Sequence, residues 1–391
     1  MKIKSFILAA FLSASALFAF AQKGEVTSAK TNYEKYIGLK EANSMLLAIP
    51  NINSAKASVD KAVVHPKTAE DPTAWTYKAL IYGELALLDT VPATSKPLIE
   101  TAKEAYKKAV ELDKAGENKA NLSNLSSGVF SQYELNQGVK AYQTNNFADA
   151  FTSFNNALAF RPGDTTITYY AGLSAINAKN YKDGIKKYED LIKTNFSANK
   201  SIYLDLSRLY TMEGDTAKAI SIASEGAVKF NDTQLATQEI ELSLMSGKQK
   251  EVISKISDQA AKNPSNKLYP YYLGIAYSNI GESAKAEESY LQAIKIDENF
   301  SDAYINVGGV LLNKAINKFN TANQLPQNQQ KEYEAMVKSA SEDLEKAFPY
   351  INKASELDAT SRVALENLKT YYIIKKNQAK VDEIAAKLEK L

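Results

Sequence analysis

The chain has 391 residues, 45% apolar and 24% charged, with 47 basic against 45 acidic side chains; that is enough apolar material for one sizeable core or several small ones, and it argues against disorder. There is no cysteine and one histidine, His65, which excludes thiolate nucleophiles, disulfides, iron–sulfur clusters and a multi-histidine metal site built from one chain. Sixteen glycines and ten prolines are few for this length and leave room for long helices.

The first segment reads as an address. Lys2 and Lys4 precede an uncharged run over residues 6–21 that ends Ala19-Phe20-Ala21 before Gln22, the layout of a cleavable secretory signal. The run is shorter than the roughly 20 apolar residues that a spanning helix wants. Loss of residues 1–21 removes two lysines and leaves 45 basic against 45 acidic residues, a formal neutrality that argues against nucleic acid as a partner. No cysteine follows the signal to carry a lipid anchor. The expectation is an exported protein, periplasmic or secreted, not lipid-anchored and without an integral membrane segment after cleavage, whose core must hold it without disulfides.

Residues 22–32 follow as an N-terminal linker, and helix pairs begin at 33. The segments 33–48 and 54–64 make the first pair. His65, between Val64 and Pro66, is a polar helix end with no partner constellation for catalysis. Trp75, Ala79 and Tyr82, then Ala102, Tyr106 and Ala109, mark the next two helices. The stretch 89–97, with two prolines, is expected to be a loop between them. Trp75 falls in an aromatic packing column, although an exposed Trp would also serve as a binding anchor.

A period emerges further on. Gly138, Gly172, Gly274 and Gly308 are separated by 34, 102 and 34 residues, so the repeat length is 34. Twelve residues after the first three stand Ala150, Gly184 and Ala286; four further on are Phe154, Tyr188 and Tyr290; three beyond those are Ala157, Leu191 and Ala293. Ser207 with Ala219 and Ile240 with Val252 keep the same spacing of twelve in between. Small residues on both helices let the backbones approach while the rings fill the space beside them. Gly214, Gly247 and Gly281, and Asn145 or Asn146, Asn180 and Asn377, are placed to take the left-handed conformation that ends a first helix. Pro162 and Pro264 block continuation of second helices.

After Gly308 the second-helix columns arrive only at Ala347, Ile351 and Ala354, a spacing of 39 where twelve is usual, so 27 residues are inserted. Their polar, helix-compatible composition extends both helices into a hairpin at about 315–345, broken at Leu325-Pro326-Gln327-Asn328. Leu368, Tyr372, Val381, Ala385 and Leu388 form the last pair.

These columns resemble the tetratricopeptide repeat (TPR), best in Leu273, Gly274, Tyr277, Gly281, Ala286, Tyr290, Ala293 and Asp297, and the resemblance extends over most of 35–391. It implies an all-α fold, a right-handed superhelical solenoid of about nine stacked antiparallel helix pairs over 33–391. It also implies a concave groove lined by the first helices, at Leu135, Val139, Tyr142, Tyr169, Asn177, Leu204, Arg208, Met212, Tyr271, Ile275, Asn279, Ile305 and Asn313. Such a mixed apolar, aromatic and amide lining suits an extended peptide or an amphipathic helix. Family members that grip a C-terminal carboxylate use a Lys and an Asn one turn apart in one first helix and an Asn in the next. Asn306 matches the later position, but Tyr271 and Ile275 stand where the Lys and Asn would be, which argues against that clamp.

Glycine-rich phosphate loops, G-x-S-x-G and H-E-x-x-H are absent, and the neighbours Glu287 and Glu288 do not share a helix face. The expected function is a non-enzymatic protein-interaction scaffold or adaptor of the bacterial envelope, without cofactor or metal, binding a peptide or protein segment. The alternative is a glycan-binding helical-repeat protein; those carry a lipid anchor and large loops with several tryptophans, and this chain has one Trp.

Overall fold

The structure, a computed structural model, describes residues 24–391. The signal expected over 1–21 lies outside them. Among the described residues there are nineteen α-helices and no strand. In order they are α1 (24–41), α2 (Met45–Ala62), α3 (Pro72–Leu88), α4 (Pro92–Leu112), α5 (Lys119–Asn124), α6 (Ser131–Gln143), α7 (Phe147–Phe160), α8 (Thr165–Asn177), α9 (Tyr181–Ile192) and α10 (Asn199–Met212). There follow α11 (Thr216–Phe230), α12 (Thr233–Met245), α13 (Gln249–Lys262), α14 (Leu268–Asn279), α15 (Ser283–Ile296), α16 (Ser301–Ala322), α17 (Gln330–Leu357), α18 (Arg362–Ile374) and α19 (Gln378–Leu388). Two compact units divide at Asn199 and Lys200. The first holds the pairs α1/α2, α3/α4, α5–α6/α7 and α8/α9; the second holds α10/α11 through α18/α19.

Within a pair the small-residue columns meet the ring columns. A Cβ built on Gly138 would lie 2.7 Å from the Phe154 ring, and one on Gly172 equally close to the Tyr188 ring. Gly274 meets the Tyr290 ring in the same way. Only a hydrogen at that position lets the aromatic side chain lie flat on the partner backbone. Ala150, Ala157, Ala286 and Ala293 are fully buried in the facing column.

The structure departs from the sequence reading in four places. The expected linker 22–32 is helical from residue 24, as the start of α1. That helix ends at 41 and α2 begins at Met45, because Asn43 takes the left-handed turn at φ 55°, so the expected gap at 49–53 lies inside α2, Pro50 included. The expected loop 89–97 shrinks to three residues. Pro92 occupies the first turn of α4, where a missing N–H costs nothing, and Asp89 closes the turn by accepting the Val91 N–H at 2.8 Å. Finally, Asn180 and Asn377 are not left-handed. Lys179 and Lys376 are, at φ 61° and 57°, while each Asn side chain caps the following helix by accepting from Asp183 N and Lys380 N. A turn of this length needs both a left-handed residue and a cap, and an Asn can meet only one demand at a time.

Two further features were not read from sequence. Residues 119–143 form one long first helix interrupted by a π-helical turn, Leu125–Phe130, where Arg161 donates its Nε to the Ser127 carbonyl. In the first unit α1 is clamped to α3 by Glu84, which is buried and accepts from the Tyr36 hydroxyl at 2.8 Å and from Lys40 Nζ at 2.6 Å. Burial, then the Glu84 carboxylate, pushes the Tyr36 hydroxyl well above its usual range.

Candidate binding groove

Neighbouring first helices are tied to one another by side-chain hydrogen bonds. In the second unit Gln238 of α12 donates to Ser207 Oγ of α10 at 2.9 Å. The Tyr272 hydroxyl of α14 donates to Glu241 of α12. Asn367 Nδ2 of α18 donates to the Ile305 carbonyl of α16 at 3.3 Å. In the first unit Asn177 of α8 donates to the Tyr142 hydroxyl of α6 at 3.0 Å, so two expected groove residues are brought together. These contacts align the first helices of each unit along one face.

The expected lining then separates into two classes. Leu135, Tyr169, Leu204, Tyr271 and Ile305 occupy one column, three residues before the small-residue position; the first four pack, and Ile305 is half-buried. Leu204 is 8% exposed and cannot line an open groove. Leu135 packs against the cluster of Ala150, Phe154 and Ile167. Tyr169 is stacked parallel to Tyr188 at 6.1 Å and touches Phe196 at 5.6 Å. Tyr271 lies among Tyr290, Phe300 and Tyr272. The physical reason is the pitch of the helix. A side chain at this offset points into the wedge between its own partner helix and the start of the next pair, not outward. Burial, then the Asp302 carboxylate, raises the Tyr271 hydroxyl above its ordinary value.

The open class lies one and five residues after the small position, with Tyr142 four after Gly138. Val139, Arg208, Met212, Asn177, Asn279 and Asn313 are exposed, Met212 by 60%. Ile275 and Tyr142 are half-buried, with the Tyr142 ring edge-on to Phe147. Sequence reading missed Met245, 82% exposed. It stands five residues after Ile240 as Met212 stands five after Ser207, so the same offset would have found it. The second unit therefore presents Met212, Met245, Asn279 and Asn313 in equivalent positions on successive first helices.

Trp75 is partly buried against the core of the first pairs, and its indole N–H donates to the Ala69 carbonyl at 2.6 Å, which makes it a packing residue. His65 sits in the turn after α2, where its Nδ1 accepts from Lys67 N at 3.2 Å. Among the described residues no helix is long and apolar enough to cross a membrane.

Residues 271–300 match the tetratricopeptide repeat family. No curated protein matches the chain. Among solved structures, the C-terminal part of a TPR repeat-containing protein from Cytophaga hutchinsonii aligns at 16% identity over 64% of this chain and 92% of its own, with a TM-score of 0.45. A TPR repeats protein from Bacteroides fragilis aligns at 21% identity over 63% and 98%, with a TM-score of 0.34. YrrB, described as a TPR protein with an unusual peptide-binding site, aligns at 19% identity over 51% and 95%, with a TM-score of 0.36.

Proposed function

Taking this chain as a tetratricopeptide-repeat protein, we propose that it is a non-catalytic interaction scaffold that holds a peptide or protein segment along the first helices of its second unit. One observation supports the reading above the rest. Hydrogen bonds between consecutive first helices spend the polar groups at their contact, and what is left facing out at equivalent positions is Met212, Met245, Asn279 and Asn313. Unbranched thioethers adapt to varied apolar side chains, and amides can meet the backbone of an extended segment. A row of this kind recognises shape and backbone without supplying an acid, a base or a nucleophile.

For the site of action, the signal-like stretch 1–21 supports export, and we propose the periplasm or the outside of the cell as the compartment. Intact mass of the exported form should begin at Gln22 with no acyl chain. A retained N-terminus that fractionates with detergent would count against this placement.

The binding reading is tested by crosslinking pull-down from the native envelope fraction with wild type and with Met212→Glu/Met245→Glu. Each substitution places a charge on a surface that would be desolvated on binding, so partner recovery should drop at least about tenfold while the melting curve is unchanged. Recovery unchanged in the double variant would move the partner elsewhere on the chain. Retention on immobilised glycans with no protein recovered would favour the sugar-binding alternative.

A further inference from the structure

At the foot of the extended hairpin, α16 and α17 enclose with the α14–α15 turn a pocket of about 470 Å³. Lys314 and Lys318, one turn apart on α16, stand on its wall with Asn313, Asn317, Ser278 and Ser283. Val310 and Met336 supply the apolar remainder, and no carboxylate lines it. The nearest acid in sequence to Ser283, Glu282, is paired with Lys285 at 3.5 Å.

The two lysines are not loose surface charges. Behind them Asp343 of α17, 3% exposed, holds Lys314 at 3.5 Å and Lys318 at 2.5 Å. Ser339 Oγ fixes Lys318 further at 2.7 Å. One buried carboxylate thus orients two ammonium groups and neutralises only one of them, leaving a net positive charge at a fixed place. Holding the stems in one rotamer removes much of the entropy cost that a flexible lysine pays on binding an anion. Ser283 is also the first residue of α15, a helix start that no side chain caps, so its dipole reinforces the same sign.

We propose that this pocket binds a tetrahedral oxyanion, a phosphate or sulfate ester group. The donor set selects that class. Ammonium groups act as point charges suited to an oxyanion with three outward oxygens, whereas a planar carboxylate is matched best by the fork of an arginine, and no arginine lines the pocket. Amides from Asn313 and Asn317 and hydroxyls from Ser278 and Ser283 add neutral donors around the charge.

The test is titration of the full chain, by calorimetry and by heteronuclear NMR, with methyl phosphate, methyl sulfate and acetate at fixed ionic strength. Saturable binding of one or both esters is expected, with acetate and chloride weaker by about tenfold or more, a margin of one charge-assisted hydrogen bond. The stronger of the two ester arms identifies the group. Lys314→Gln, which leaves the Lys318–Asp343 pair in place, should weaken binding by about the same factor with the helical signal at the titration temperature unchanged. Shift changes should fall on Asn313, Asn317 and Ser283. Equal responses to acetate and ester, or an affinity indifferent to Lys314→Gln, would overturn the proposal, since either marks diffuse attraction to exposed lysines. Asn313→Ala/Asn317→Ala, a second variant that touches neither ion pair, should also weaken ester binding, and unaltered affinity there would equally overturn the proposal.

Discussion

Gly308 of α16 lies directly against Ile351 of α17: a Cβ on Gly308 would come within 2.7 Å of Ile351 Cγ1 and 3.3 Å of its backbone nitrogen. The two are 43 residues apart, where Gly274 and Tyr290 are 16 apart in the equivalent contact. The 27 extra residues lengthen α16 and α17 at their loop ends without disturbing the contact. Gly308→Leu should therefore destabilise the second unit by about 1–3 kcal/mol through overpacking. Gly274→Leu should do likewise. Because neighbouring pairs carry most of the coupling in a repeat array, hydrogen exchange should show the loss concentrated in α14–α18. A melt indistinguishable from wild type would mean that these backbones do not meet as described.

Trimming the hairpin tests the complementary half of that relationship. Replacing residues 321–337 with a short Gly-Asn turn leaves Leu311, Leu312 and Ala315 packed against Leu344, Ala347 and Ile351. Shortening an exposed loop changes closure entropy only slowly with length. The trimmed protein should keep its helical signal and lose less melting temperature than Gly308→Leu. Collapse of the unit on trimming would show that the tip carries contacts beyond its own two helices.

Lys179 and Lys376 hold left-handed conformations at helix ends, φ 61° and 57°, that cost a side chain roughly 1–2 kcal/mol and glycine little. Offset by the greater freedom of an unfolded glycine, Lys179→Gly and Lys376→Gly should each stabilise by about 0.5–1 kcal/mol in denaturant titration. Asn180→Ala, which removes the cap one residue later, should cost about 1 kcal/mol. Opposite signs at adjacent positions would separate the two roles; a destabilised Lys179→Gly would refute the turn assignment.

Of the second unit's carboxylates that ion pairs hold below their ordinary range, Asp232 and Asp343 are the most buried and should carry most of the acid sensitivity. Burial raises the Asp232 carboxyl, but the hydrogen bond from Leu235 N at 3.0 Å and the ion pair with Lys200 at 3.1 Å outweigh it and leave the group below its ordinary value. For Asp343 burial likewise opposes, and Lys318 and Lys314 together win. A carboxylate whose folded pKa lies below its unfolded one contributes stability that is complete above the unfolded value, about 3.9 for Asp, and is lost as pH falls through the folded value. From these two groups the melting temperature should be level above pH 5 and fall below pH 4. Asp232→Asn/Asp343→Asn should be less stable near neutrality and show a shallower acid limb; an unchanged limb would assign the loss to other groups.

What the sequence determined by itself is whatever depends on spacing. Gly138, Gly172, Gly274 and Gly308 declare the repeat because a helix pair can bring two backbones together only where both carry small residues, and the ring columns at Phe154, Tyr188 and Tyr290 follow from the space this opens. Even the insertion was legible, as a break in that spacing. The tertiary structure decided which side chains of a first helix face out. Tyr169, Leu204 and Tyr271 recur at one offset and Met212 and Asn279 at another, and periodicity alone treats both as one surface. The wedge between each pair and the next buries the first column and leaves the second open, because exposure depends on how a neighbouring pair lies against the helix, a relation between segments that no single repeat contains. The same holds for the pocket under the hairpin, where Asp343 reaches Lys314 and Lys318 only because the inserted residues fold α17 back along α16.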